Sequence, residues 1–118
     1  MRKNSVKMTR INSEIQKSLS EIIRQVKDPR IGPLTSVAWV DTTTDLKDCK
    51  VYISVYGDEK DRKETAEGLK SANSFIRGQL ARSLNLRNTP QLHFIIDTTI
   101  EDAMKMMQKI DEVTGHKN

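Results

Sequence analysis

The 118-residue sequence predicts an α+β domain with helices on one face of a three-stranded mixed sheet. Apolar residues recur at helical spacing in some segments and alternate in shorter ones, which separates helices from strands. The first two strands are joined by a short polar turn and form an antiparallel hairpin. The next connection is a strand–helix–strand crossover, so the second and third strands run parallel. The second strand is therefore predicted at the centre of the sheet.

The first helix is predicted over residues 8–26, because seven apolar residues there fall on one side. Thr9 or Asn12 is a candidate cap for its start. The segment from Asp28 to Pro33 ends it, since proline removes a backbone donor and restricts the residue before it. The apolar residues are Met8, Ile11, Ile15, Leu19, Ile22, Ile23 and Val26.

Three segments are predicted as strands. Residues 34–40 are rich in β-branched side chains, and residues 41–48 form a polar turn region. Residues 49–56 alternate between an apolar and a polar face, which indicates a half-buried strand. The third strand follows Pro90, where apolar side chains again alternate.

A long helix is predicted over residues 62–84, with a kink at Ala72, Asn73 and Ser74. Asn and Ser side chains compete with helical backbone hydrogen bonds, so they favour a break into two short helices. A last helix follows the third strand, with Thr99 as its predicted cap and Asp102 three residues on.

Composition and charge narrow the class of protein. We expect a flexible basic arm at 1–7, one domain at 8–113 and a frayed tail at 114–118. The net charge is +4, with eight basic and three acidic residues in the first 30 positions. The single cysteine, Cys49, excludes an internal disulfide, and no apolar run is long enough for a membrane span. A cytoplasmic location with no membrane partner is expected.

Catalytic and metal-binding patterns are missing from the sequence. His93 and His116 have no nucleophile–base arrangement near them, and Cys49 falls on the apolar side of its strand. The acidic residues lack ligand spacing for a metal, and no glycine-rich phosphate loop is present. We therefore predict no enzymatic activity, no cofactor, no metal and no small-molecule substrate.

The basic residues indicate nucleic-acid binding. No acid occurs between Lys70 and Pro90, and a helix starting at the kink would offer unpaired amide groups to phosphate. Arg77 lies one turn inside that start, and Gly78 leaves room for close approach. The predicted RNA-binding residues are Arg2, Lys3, Lys7, Arg10, Lys70, Asn73, Ser74, Arg77, Arg82 and Arg87.

Nearly the whole chain resembles the ribosome-binding factor A family. The resemblance depends on the order and spacing of several short motifs. These are Arg10-Ile11, Asp28-Pro29-Arg30, Thr44-Asp45-Leu46, Lys50-Val51-Tyr52-Ile53-Ser54-Val55, Phe75-Ile76-Arg77 and the stretch from Leu86 to Phe94.

The resemblance implies a type II KH-like fold, α-β-β-α-kink-α-β with an added C-terminal helix. It also implies a non-catalytic, monomeric factor that binds 16S rRNA on the free small ribosomal subunit. Such a factor assists late rRNA processing and subunit maturation, often in cold adaptation. The family is described with an Ala-x-Gly kink, whereas this chain has Ala72, Asn73 and Ser74. Serine in place of glycine makes a left-handed backbone costlier there.

Two other functions stay open at this point. A generic single-stranded RNA- or DNA-binding KH-like module is one, and a protein–protein adaptor using Met104, Met106 and Met107 is the other. Trp39, Tyr52 and Tyr56 could form a small exposed cluster, although Trp39 could equally belong to the core. With 4% aromatic residues, base stacking is not expected to dominate binding.

Overall fold

The computed structural model describes residues 6–114 and confirms the predicted order of helices and strands. The elements are α1 (Val6–Gln25), β1 (Thr35–Thr42), β2 (Asp48–Val55), α2 (Glu59–Ser71), α3 (Asn73–Ser83), β3 (Gln91–Ile96) and α4 (Thr99–Thr114). No helix in this part of the chain is both long and apolar enough to cross a membrane.

The sheet has the predicted topology, with β2 between the two outer strands. β1 pairs antiparallel with β2, and β3 pairs parallel with β2. The β1–β2 register shifts between Val37 and Trp39, so one extra residue bulges from β1. A bulge reverses the inward and outward alternation beyond it. Val37 and Val40 are therefore both buried, while Trp39 between them is exposed.

The core lies between one face of the sheet and the helices α1, α2 and α3. Alternate β2 residues point inward, and each helix contributes an apolar stripe that packs on them. Ile15, Leu69 and Ile76 are fully buried examples from the three helices. Burying one such side chain contributes about 1.5–3 kcal/mol. The remaining described helix, α4, exposes Met104, Met106 and Met107, so this stripe is not part of the core.

The start of α1 differs from the prediction. The helix begins at Val6, which is two residues before the expected domain start and makes Lys7 helical. Thr9 and Asn12 therefore lie inside the helix, and neither is its cap. The Asn12 side chain instead accepts a hydrogen bond from the Thr42 backbone N–H at 3.1 Å. Gln16 donates to the Val37 and Ala38 carbonyls at 3.2 and 3.1 Å.

The α1–β1 loop is held by its own charges and by α2. The Asp28 carboxylate accepts bonds from the backbone N–H and the guanidinium of Arg30, and these lower the pKa of Asp28 to about 2. The buried Thr65 hydroxyl lies 3.4 Å from the Arg30 carbonyl and from the Gly32 nitrogen. Gly68 of α2 lies against Ile31, which brings the helix close to the loop.

Candidate nucleic-acid interface

The long helical segment is interrupted at Ala72, as the predicted fold requires. α2 ends at Ser71 and α3 begins at Asn73, with Ala72 at φ −90° and ψ 3° between them. Within residues 6–114, positive φ angles occur only at Leu46 and Gly57. Ser74 therefore does not adopt the left-handed conformation, and the expected cost of serine in place of glycine does not arise.

The start of α3 lacks a side-chain cap. Ala72 precedes it and provides no side-chain hydrogen bond, so helix geometry leaves the first amides without intrahelical partners. By contrast, α2 starts with a complete capping box between Asp58 and Asp61. Ser74 is exposed in the first turn of α3, beside the amides that a phosphate oxygen could accept from.

Two predicted RNA-binding residues at this start also support the backbone. Arg77 donates from Nε to the Pro90 carbonyl at 3.0 Å and from Nη2 to the Thr89 carbonyl at 2.6 Å. Asn73 donates to the Leu92 carbonyl at 3.0 Å. Since guanidinium has five N–H donors, Arg77 keeps others for a phosphate. Its first role in this fold is to hold the segment between α3 and β3.

Asn88 holds the same segment from the opposite side. Its side-chain amide donates to the Leu46 carbonyl at 2.7 Å. Leu46 has a φ of 59°, a left-handed conformation that branched and bulky residues rarely adopt. Its side chain is buried, which offsets the cost of that backbone conformation. Residues 85–90 are thus fixed between α3 and the β1–β2 turn.

These fixed residues separate two grooves on the surface. The first, called here the kink groove, is lined by Asn73, Ser74, Arg77, Gly78, Ala81, Asn88, Thr89 and Gln91. The second, called here the basic groove, lies between the start of α1, the β1–β2 turn and residues 85–87. A ligand that crosses residues 85–90 would contact both.

Three predicted cations meet at the basic groove. Lys7 and Arg10 come from the first turns of α1, and Arg87 comes from the segment before β3, almost 80 positions later. All three side chains are exposed, and within the described residues none of them forms an ion pair. Glu14 is the one acid among the described residues of the lining, so these residues make the groove positively charged.

The other predicted site residues are distributed differently. Gly78 leaves space for the Arg82 guanidinium. A Cβ built at Gly78 would lie 4.0 Å from Arg82 Nη2, so Arg82 reaches the wall of the kink groove. Lys70 is exposed in the last turn of α2 and lines neither groove. Arg2 and Lys3 lie outside the described residues.

Of the residues considered for catalysis, His93 and Cys49 have structural roles, and His116 lies outside the described residues. His93 Nε2 lies 2.8 Å from the Asp48 carboxylate, and both side chains are about half exposed. Cys49 is fully buried, and burial raises the pKa of its thiol, which disfavours the reactive thiolate. No cluster of metal-binding side chains occurs among the residues of the structure.

Comparison with known proteins decides the family. The model for ribosome-binding factor A matches residues 7–110. The chain belongs to the ribosome-binding factor A family. Ribosome-binding factor A of Lachnospira eligens is 61% identical over 119 residues, which cover 100% of this chain and 92% of the relative. The Lachnoclostridium phytofermentans member is 59% identical, and the match covers 98% of this chain and 85% of that protein.

Solved structures of ribosome-binding factor A share the fold. The solution structure of a Thermotoga maritima protein, described as a possible member, matches with a TM-score of 0.70 and 32% identity over 80% of this chain and 91% of its own. The Thermus thermophilus crystal structure matches with a TM-score of 0.68 and 25% identity. This match covers 75% of this chain and 93% of that one. A Thermus thermophilus homology model, fitted to a map of a 30S complex, matches with a TM-score of 0.62 and 26% identity. This match covers 73% of this chain and 90% of that one. The fold is therefore the type II KH-like fold expected for ribosome-binding factor A.

The sequence did not reveal the structural bonds of Asn88, Asn73 and Arg77. Each bond joins residues 12 to 42 positions apart, so the spacing of residues within one helix or strand cannot predict it. The motif from Leu86 to Phe94 includes Asn88, but the motif alone assigns no separate role to that residue.

Proposed function

We propose that this chain is a non-catalytic factor that binds 16S rRNA on the free small ribosomal subunit and assists its late processing and maturation. Family membership supports ribosome binding, because one structural neighbour is described as part of a 30S complex. Action as a monomer in the cytoplasm belongs to the same proposal.

The observation that carries the RNA contact is the convergence of Lys7, Arg10 and Arg87 at the basic groove. Three cations from two distant parts of the chain, without acidic partners among the described residues, suit a phosphate backbone. The kink groove adjoins them across residues 85–90 and offers the uncapped amides of α3. The rigid scaffold of these residues fixes the spacing between the two sets of donors.

Co-sedimentation with purified small subunits tests this proposal. We expect the triple variant Lys7→Gln, Arg10→Gln, Arg87→Gln to bind more weakly. The logarithm of its binding constant should also fall less steeply with salt, by roughly 0.7–0.9 for each lost phosphate contact. The matched control is Lys27→Gln, Lys60→Gln, Lys105→Gln, which removes the same charge from exposed positions outside both grooves.

Three outcomes would contradict the proposal. An equal loss of subunit binding in both triple variants would mean that net charge alone governs association. Binding to short RNA oligomers as tightly as to intact subunits would favour the generic single-stranded module instead. Failure of the unaltered protein to sediment with free subunits would exclude ribosome binding under those conditions.

A further inference from the structure

The sheet face opposite the core carries an aromatic stack that the two grooves do not use. Trp39 of β1 and Tyr52 of β2 are cross-strand partners, and their rings lie parallel with centroids 3.8 Å apart and an interplanar angle of 7°. Ile95 of β3 is the partner of Tyr52 on its other side. The three side chains form one row across all three strands.

This row is open at one end. Tyr52 covers one face of the indole, and β1 is an outer strand, so the other indole face turns away from the sheet. Trp39 keeps 46% of its surface exposed although stacked on one side. Helices α1 to α3 pack on the opposite sheet face, and the described side chains of α4 are exposed. No described element covers the indole.

The stack ends beside α1. Gln16 donates to the carbonyl of Ala38, the neighbour of Trp39, so this part of α1 lies at the same strand edge. The exposed Lys17 and Arg24 line a shallow groove that runs from Gln16 along α1, together with Ser13, Ser20 and Glu21. Gln16 therefore joins the strand edge beside Trp39 to the groove that holds Lys17 and Arg24.

We propose that the open face of Trp39 is a stacking site for an unpaired RNA base, with Lys17 and Arg24 contacting the adjoining phosphates. Parallel ring stacking is how proteins hold unpaired bases without reading their sequence. The Trp39–Tyr52 pair already has the spacing of stacked bases, so an incoming base extends an existing stack. This inference rests on the proposed RNA-binding function and adds to it a contact outside both grooves.

The chain offers a direct test, because Trp39 is its only tryptophan and its fluorescence reports on this site alone. Hexa-adenylate should quench that fluorescence saturably, since stacking on the indole is required for contact quenching. Inorganic polyphosphate of equal charge, which has no rings, should leave the emission nearly unchanged. Equal quenching by both, or none by either, would overturn the proposal and leave the pair as a stabiliser of the β1–β2 hairpin.

Variants separate stacking from charge. Trp39→Leu should weaken binding of labelled hexa-adenylate about tenfold without changing the salt dependence, because stacking releases no counterions. Trp39→Phe should restore part of the loss. The control Tyr56→Leu removes another aromatic residue, 81% exposed at the end of β2, and should have little effect. Thermal unfolding of each variant verifies that the fold is intact.

The same variants distinguish this inference from the proposed function. If Trp39→Leu sediments with small subunits like the unaltered protein and hexa-adenylate does not quench, the stacking site is refuted and ribosome binding stands. If Trp39→Leu loses subunit binding while hexa-adenylate fails to quench, the indole contacts a protein, which also refutes the base-stacking proposal. Loss of sedimentation by the unaltered protein refutes the proposed function itself.

Discussion

Arg77 combines a structural role with a position in the candidate RNA interface. Its two hydrogen bonds, to the Thr89 and Pro90 carbonyls, fix the segment that separates the two grooves. Reversing its charge would thus disturb the fold and the phosphate contact together. A loss of RNA binding in an Arg77 variant is therefore interpretable only after its stability has been measured.

We expect Arg77→Met to lower the free energy of unfolding by about 1–3 kcal/mol. Methionine retains an apolar stem but leaves partly buried carbonyls without their donors. The matched control is Arg82→Met, five residues on in the same helix and exposed, which should change stability by less than about 0.5 kcal/mol. Urea titration of both variants provides the measurement. Equal stability of the two would show that the Arg77 bonds contribute nothing.

Trp39 shows why sequence spacing could not settle individual positions. Strict alternation from the buried Val37 places Trp39 inside, yet the bulge at Ala38 turns it outward. A bulge needs only one extra residue, and the amino-acid composition of β1 does not indicate where that residue lies. The predicted cluster is present in part, since Trp39 stacks on Tyr52, while the base-stacking role for Trp39 became visible only from the ring geometry.

The two glycines of the helical pair α2 and α3 are in opposite environments. A Cβ at Gly68 would lie 2.8 Å from Ile31 Cγ1 and 3.3 Å from Arg30 Cβ, so the helix or the loop must move. A Cβ at Gly78 would meet only the end of Arg82, at 4.0 Å. Both glycines lie inside helices, where alanine is intrinsically better by about 1 kcal/mol.

We therefore expect Gly68→Ala to destabilise the protein by about 1–2 kcal/mol, because overpacking exceeds the gain in helix propensity. Gly78→Ala should stabilise it by about 0.5–1 kcal/mol. Thermal or urea unfolding of the pair checks the difference in sign. Stabilisation by both substitutions would mean that the contact between α2 and the Ile31 loop adapts without cost.

At the level of elements, the predicted order and sheet topology are confirmed, and helix ends account for most of the differences. Apolar periodicity identified α1 and β2 because each packs one face on the core. Asn12 looked like a cap because asparagine favours helix starts, but its partner is Thr42, 30 residues away. Together with Gln16 it occupies hydrogen-bonding groups along the outer edge of β1, which protects an edge strand from pairing with other chains.

The whole molecule is more extended than a compact domain of its length. Its radius of gyration is 17.1 Å, compared with roughly 13.5 Å expected for 118 compact residues. The core cluster includes α1, α2, α3 and all three strands, but no described residue of α4. Two residues separate β3 from α4, and the exposed Met104, Met106 and Met107 make α4 the remaining candidate for the adaptor alternative.

A chain ending at Thr98 separates that alternative from RNA binding. Because the described core contains no side chain from α4, we expect its removal to change the free energy of unfolding by less than about 1 kcal/mol. The radius of gyration in solution scattering should fall toward roughly 13 Å. Co-sedimentation with small subunits should persist, since both grooves and Trp39 precede the deleted helix. Intact folding with loss of subunit binding would instead make α4 the main contact and favour a protein partner for its methionines.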